Sequence, residues 1–375
     1  EIVDGYAIPG FQNAHSHAFQ YAMAGLAEIH PKGKTSDDFW TWRETMYRVA
    51  LTINPNELEH IAAMLYSEML RHGYTHVAEF HYLHHDKNGR PYAQCAEMSE
   101  RLMSAAQKTG IKLTLVPIFY QKGGFGKEPS EGQRRFIHRD AETYLKLVGE
   151  VKRLAEQYKQ AWAPGIHSIR AVDLHSMVTA LDSFDQVPVH LHIAEQLKEI
   201  DDCIAHYGKR PVAWLYDHFD VNENWHLVHA THLDDDELRL IAQSKAHVVL
   251  CPSTEGNLGD GIFRLNEFLA SAGQWSIGTD SHVGLDPKEE LRILDYGQRL
   301  ISHQRNTFVN ATTGDSAFSA FSASLNGGRQ AMGNYTADFF EAGGAFDAVI
   351  MDRQHPLIAC SSMDKVLSTF IYSGD

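Results

Sequence analysis

Between Asn54 and Tyr82 the chain reads "NPNELEHIAAMLYSEMLRHGYTHVAEFHY", and its two halves carry different periods. In the first half Asn54 can cap a helix, Pro55 suits the first helical position and Glu57 stands where a capping-box acid belongs. Leu58, Ile61, Ala62, Leu65 and Met69 then share one face until Gly73 ends the helix. The second half, short and rich in β-branched and aromatic residues, reads as a strand. A helix that passes through one glycine into a strand is part of a βαβ unit.

The same cadence runs along the chain. Strand-like runs occur at "AIPGFQNAHSH", "IKLTLVPIFY", "WAPGIHSIRAV", "VPVHLHIAE", "WHLVHATHL", "AHVVLCPST" and "QWSIGTDSH", eight with the run after Gly73. Helices are predicted near 93–109, 140–158, 197–208, 264–272 and 287–302, and over "THLDDDELRLIAQSKA", whose early acids suit the positive end of a helix dipole. Strand alternating with helix predicts a parallel sheet. Eight such units from His15 to Asp280 come close to the ~250 residues typical of a (β/α)8 barrel. An open doubly wound sheet needs fewer strands and commonly a glycine-rich first turn. "GGFG" at Gly123–Gly126 lacks the spacing for phosphate and reads as a mobile loop.

Past residue 305 "NTFVNATTGDSAFSAFSASLNGGRQAMG" predicts one more capped helix. "GGAFDAVIMD" and "KVLSTFIYSGD" predict short strands that a barrel does not need, and so a small β-sandwich appendage built from the chain ends. The expected boundaries are 1–8 for a strand entering from that small β domain, 9–335 for the barrel and 336–375 for the C-terminal part of the small domain. The sequence opens inside a strand and without Met, so the true N-terminus and half of the appendage are expected to lie outside it.

Hydrophobic residues at 43% and charged residues at 22% are ordinary for a folded globular chain. The net charge is −15 and no basic stripe offsets it, which argues against nucleic acid and anionic membranes as partners. No apolar run approaches the ~20 residues of a membrane helix, and the start has no signal-peptide pattern, so a soluble cytoplasmic protein is expected. Cys95, Cys203, Cys251 and Cys360 form no CxxC and read as reduced thiols.

In a barrel of this kind the reactive groups sit at the C-terminal ends of the strands. The polar residues there are His15 and His17, Tyr82, His167 and Arg170, the trio His190, His192 and Glu195, then His229 and Asp280. His15 and His17 are two apart on an extended segment, so their side chains share a direction, and His190 with His192 repeats the spacing. One such pair fits two hydrogen-bonded core histidines equally well. Several at the strand ends of one barrel favour a metal, and imidazole with carboxylate suits Zn²⁺ or Fe²⁺.

The marks "PGFQNAHSH", "HIAE", "HATH" and "GTDSH" resemble the amidohydrolase superfamily over nearly the whole chain. The resemblance implies that His15, His17, His192 and Asp280 bind a metal. It also implies that Glu195 moves the proton, that His229 polarises or activates water, and that Asp280 takes part in catalysis. The fourth strand, "GIHSIRAV", lacks the bridging lysine of two-metal members, which implies one divalent ion per subunit, Zn²⁺ before Fe²⁺.

"DDFWTWRETMY", "EFHYLHHD", "HLHIAEQ" and "LCPSTEGNLGDGIF" are similar to the branch that hydrolyses the formimidoyl C=N bond of N-formimidoyl-L-glutamate during histidine degradation, with N-formyl-L-glutamate and ammonia as products. A dicarboxylate substrate demands cations, and Arg170 and Arg43 can supply them. Gln20, Tyr82 and His167 complete the expected substrate set by analogy, and family resemblance suggests a homodimer. His190 is expected behind the site or in the core, His282 beside the metal, and "STEGNLGDG" as a flexible loop whose Asn257 could reach substrate. Guanine, adenosine-like or triazine hydrolysis stays open as an alternative, and a catalytically silent scaffold as a more distant one.

Overall fold

The computed structural model describes residues 4–29, 38–305, 307–309, 314–336, 339–344 and 346–374. In chain order the strands are β1 (Gly5–Pro9), β2 (Phe11–Ser16), β3 (Tyr74–His81), β4 (Lys112–Phe119), β5 (Ala161–Trp162), β6 (Gly165–Ser168), β7 (Val189–Ile193), β8 (Trp225–His229), β9 (His247–Leu250), β10 (Gln274–Ile277) and β11 (Ala348–Asp352). The main sheet runs β2-β3-β4-β6-β7-β8-β9-β10, each neighbour parallel, with short β5 alongside β4.

The ends of this sheet meet. A parallel bridge joins Ser16 to Asp280. The amides of Thr279 and Asp280 donate to the His15 carbonyl at 3.1 and 3.0 Å, and the His17 amide donates to the Asp280 carbonyl at 3.1 Å. Asn13 staples the seam by accepting from the Thr279 amide at 3.1 Å and donating to the Thr279 hydroxyl at 2.8 Å. Gly278 permits this approach, since a Cβ there would stand 2.7 Å from that of His15. The eight strands and their outer helices form a (β/α)8 barrel.

The helices begin and end where local chemistry dictates. Asn54 accepts from the Glu57 amide at 3.0 Å while Glu57 accepts from the Asn54 amide at 2.7 Å, closing a capping box on the helix Pro55–His72. Gly73 ends that helix at φ 98°, a conformation that costs glycine little. "FWTWRETMY" lies in the helix Phe39–Ala50, capped by Asp38. "GGFG" is a turn bridged from Gly124 to Lys127.

Three histidines fill the floor of the barrel, at the end away from the C-terminal ends of the strands. His190, His226 and His247 lie in register on β7, β8 and β9 and stack, with ring centroids 5.2 and 5.0 Å apart. His190 Nε2 donates to the Ala331 carbonyl at 2.9 Å, at the end of the helix Ser316–Ala331. Burial lowers the pKa of His190 and of His247 to about 4, and that of His226 well below its ordinary value.

Above pH 6.5 these rings are neutral folded or unfolded. As the pH falls from 6.5 toward 4 only the unfolded chain gains the protons, at a cost on the order of 3 kcal/mol for each ring shifted to about 4. The unfolding midpoint in urea should therefore drop between pH 7 and pH 5, and His226→Leu should shrink the drop. A midpoint equal at the two pH values would contradict this.

The chain ends depart from the expected sandwich. β1 pairs antiparallel with β11, from Gly5 opposite Asp352 to Pro9 opposite Ala348. "KVLSTFIYSGD", expected as a strand, is instead helical over Val366–Ser373. Its β-formers are overridden by packing: Val366 is buried with Met351 and Ile358, and Ile371 joins the main core. Part of the capped helix expected from Asn306 falls on 306 and 310–313, outside the described residues. Among the described residues it forms the helix Ser316–Ala331, capped by Asp315. Residues 1–3 of the expected entering strand also lie outside them.

Candidate active site

β2 and β7 end with their imidazoles facing one point. His15 Nε2 lies 3.1 Å from His17 Nε2 and 3.0 Å from His192 Nε2, and Asp280 Oδ1 lies 3.0 Å from His17 Nε2 and 3.4 Å from His15 Nε2. All four residues are buried, and one ligand atom from each lies within 4.8 Å of the others. His17 Nδ1 donates to the Phe80 carbonyl at 2.9 Å and His192 Nδ1 to the His167 carbonyl at 3.0 Å. A carbonyl only accepts, so in both rings Nε2 carries the lone pair. Two such lone pairs and a carboxylate converge on one point, which a cation among them would stabilise, so the donor set fits a divalent metal.

Four of the groups here, His15, Asp280, His229 and Glu195, are displaced from their ordinary titration. Burial and the neighbouring His17 lower the His15 pKa to about 3. Burial would raise Asp280, but the imidazoles of His15 and His17 at its Oδ1 outweigh it and hold the carboxyl well below its usual range. His229 is raised to about 10: burial opposes the charge, and Glu195, a hydrogen bond to Glu255 and Asp280 overcome that opposition. Burial raises Glu195. His229 Nε2 lies 3.9 Å from Glu195 Oε1 and 4.0 Å from Asp280 Oδ2. Beside the four converging residues a buried carboxyl thus faces a buried imidazole.

Backbone strain concentrates at these strand ends. Ala194, His229, Ala230, Asp280 and His282 have φ of 53°, 68°, 49°, 47° and 65°. Such non-glycine conformations cost on the order of 1–3 kcal/mol each, and they persist here among residues that turn sharply at the barrel mouth.

A cavity of about 40 Å³ adjoins the cluster and is lined by His17, Gln20, Arg43, Tyr82, His167, Arg170, His192, Glu195, His229 and Asp280, with Tyr47, Tyr120 and Leu258 among the other walls. His15 lies behind it, fully buried. Gln20 donates to the Tyr82 hydroxyl at 2.8 Å. His167 Nδ1 meets the Ser168 hydroxyl at 3.0 Å, and its ring lies 4.2 Å from that of Tyr120. Arg43 lies over the Trp40 ring at 4.4 Å, and its buried Nε has no hydrogen-bond partner among the described residues. Arg170 Nη1 lies 3.1 Å from Glu199 Oε2.

Other residues fall elsewhere. Asn257 donates to Glu28 at 2.7 Å and does not line this cavity. Its segment is no flexible loop: Pro252–Leu258 is a helix with Pro252 at its start and Gly259 ending it at φ 69°. His282 meets the Thr279 hydroxyl at 2.9 Å, beside the seam.

Four residues at the site were missed in the sequence. Glu255, on that short helix, accepts from His229 Nδ1 at 3.2 Å and from the Cys251 amide at 2.9 Å, which fixes the catalytic-end imidazole. Glu79 accepts from the Ser16 hydroxyl and the Ala18 amide, both at 2.6 Å, and clamps the chain around His17. Glu199 accepts from the Glu195 amide at 3.2 Å. Tyr120 lies just past β4, and the strand-end rule applied to "IKLTLVPIFY" would have found it. Glu79 could have been noticed as a lone acid in an apolar strand.

The amidohydrolase family model matches residues 6–374. A formimidoylglutamate deiminase of Pseudomonas aeruginosa is 46% identical over 376 residues, spanning 100% of this chain and 82% of that protein. The crystal structure of an amidohydrolase from Brucella melitensis is similar with a TM-score of 0.92 and 44% identity, over 98% of this chain and 81% of that one. A zinc-bound adenosine deaminase from Xanthomonas campestris shares the fold, with a TM-score of 0.76 and 23% identity over 98% of this chain and 76% of that one. Barrel, strand-end cluster and these likenesses lead to one statement: the chain belongs to the amidohydrolase family.

Proposed function

We propose that the protein hydrolyses the formimidoyl C=N bond of N-formimidoyl-L-glutamate, giving N-formyl-L-glutamate and ammonia. The observation that carries this reading is the meeting of Arg43 and Arg170 with Glu195 in one cavity. Two guanidinium groups suit a dicarboxylate, and a carboxyl raised by burial suits proton transfer to a leaving nitrogen. The likeness to the Pseudomonas aeruginosa deiminase supports the same substrate.

A divalent ion held by His15, His17, His192 and Asp280 would supply Lewis acidity and lower the pKa of a coordinated water to about 7. Around it the chain's own residues orient and transfer. Arg170 and Arg43 hold the glutamate carboxylates, while Gln20, Tyr82 and His167 wall the path between them and the reacting carbon. Glu195 takes a proton from the attacking water and delivers it to the imino nitrogen. His229, fixed by Glu255, donates a hydrogen bond where negative charge develops. Water adds to the formimidoyl carbon, and Glu195 then passes the second proton from the new hydroxyl to the amino nitrogen, so that the oxygen becomes the formyl oxygen and the nitrogen leaves as ammonia.

The same proposal places the enzyme in histidine degradation, in the cytoplasm, as a homodimer with one Zn²⁺ or Fe²⁺ per subunit. The imidazole-carboxylate donor set supports the ion, and no described helix is long and apolar enough to cross a membrane. Metal analysis and light scattering test these points. The direct test of function is ammonia release from N-formimidoyl-L-glutamate beside guanine. Turnover of the first alone is expected, and turnover of guanine alone would replace the reading with a purine deaminase.

A further inference from the structure

One buried charge near the cavity has no part in the scheme above. Glu199 belongs to the first turn of the helix Leu197–Tyr207, and its side chain is fully buried. A buried carboxylate is costly unless its partners compensate. Here a single oxygen, Oε2, serves two: it lies 3.1 Å from Arg170 Nη1 and accepts the Glu195 amide at 3.2 Å. Arg170 makes no other ion pair among the described residues, and its side chain keeps 11% exposure while lining the cavity.

We propose that Glu199 is a positioning residue whose carboxylate ties the arginine that grips the substrate carboxylate to the backbone of the residue that moves the proton, fixing the distance between the two ends of the substrate. The inference rests on the reading of N-formimidoyl-L-glutamate as substrate. The physical reason is register. An arginine on a long side chain can hold a carboxylate in many places, and only a fixed guanidinium puts the reacting carbon within reach each time. Glu199 supplies that fixation from the protein side and leaves the other face of the guanidinium to the ligand. Because it also offsets part of the positive charge, its loss need not weaken binding. The defect belongs mainly in kcat.

The test compares wild type, Glu199→Ala, Arg170→Met and the double variant on N-formimidoyl-L-glutamate and on a carboxylate-free N-alkylformamidine. Glu199→Ala should lower kcat on the dicarboxylate roughly tenfold, within the range of coupling between two buried residues in contact, with KM changed much less. Added to Arg170→Met it should cost little more, because both act through one contact. On the formamidine, which has no carboxylate for Arg170 to hold, loss of the Glu199 carboxylate should cost much less. If Glu199→Ala does not fold, Glu199→Gln, which keeps volume and an acceptor, takes its place in the cycle, with a smaller loss of the same pattern. Full additivity with Arg170→Met, or an equal loss on both substrates, would overturn the inference while leaving the substrate reading intact. Wild-type enzyme inactive on N-formimidoyl-L-glutamate would overturn both.

Discussion

Glu195→Gln is expected to lower kcat for ammonia release roughly a thousandfold or more, the upper range for losing a proton-transfer group. The amide keeps the size of the side chain in a buried position, and the backbone contact to Glu199 is untouched. Glutamine cannot accept and return a proton. Melting temperature and bound metal should stay near wild type, because Glu195 is not among the four residues whose donor atoms converge at the metal position. Steady-state kinetics, calorimetry and metal analysis on one preparation check all three, and a variant within tenfold of the wild-type kcat would remove Glu195 from the role.

Stripping the metal should be as severe. Chelated protein should lose turnover almost completely and regain it with Zn²⁺. Its unfolding midpoint should also fall, because binding that favours the folded state adds about 4 kcal/mol when free ion exceeds Kd a thousandfold. The structural reason is that His15, His17, His192 and Asp280 are left buried against one another with little to offset their mutual repulsion. Thermal unfolding with and without chelator reads this independently of activity. An unchanged midpoint together with undiminished turnover would mean that this cluster holds no ion of consequence.

How much of this could be read beforehand depended on the range of the interactions. Asn54, Glu57 and Gly73 act on their own helix, so their roles were plain from spacing. The strand-end histidines were legible because a parallel barrel puts its reactive groups at one rim. His190 and His192 share a strand and a spacing, yet one donates to Ala331 on the floor and the other faces His15 at the mouth. Depth along a strand, which periodicity does not reveal, separates them. Glu255 was hidden because the glycines of its segment spoke for a loop, while Pro252 and Gly259 in fact bound a short helix. Glu199 was hidden because its partners come from two other points of the chain. The C-terminal helix was misread because packing of Val366 on Met351 and Ile358, and of Ile371 in the main core, outweighs local preference.

The seam between β2 and β10 also sets a timetable. Asn13 and Thr279 touch across 266 positions of sequence, and three of the four converging donor residues, His15, His17 and Asp280, stand on either side of that contact. A ribosome must therefore deliver nearly the whole barrel before the catalytic centre can exist. Contacts between residues so far apart in sequence slow folding, because a large loop must close before they form. Until β10 arrives, β2 waits as an open edge with His15 on it and His17 just past its end, and the nascent chain is inert as a catalyst and most exposed to mispairing.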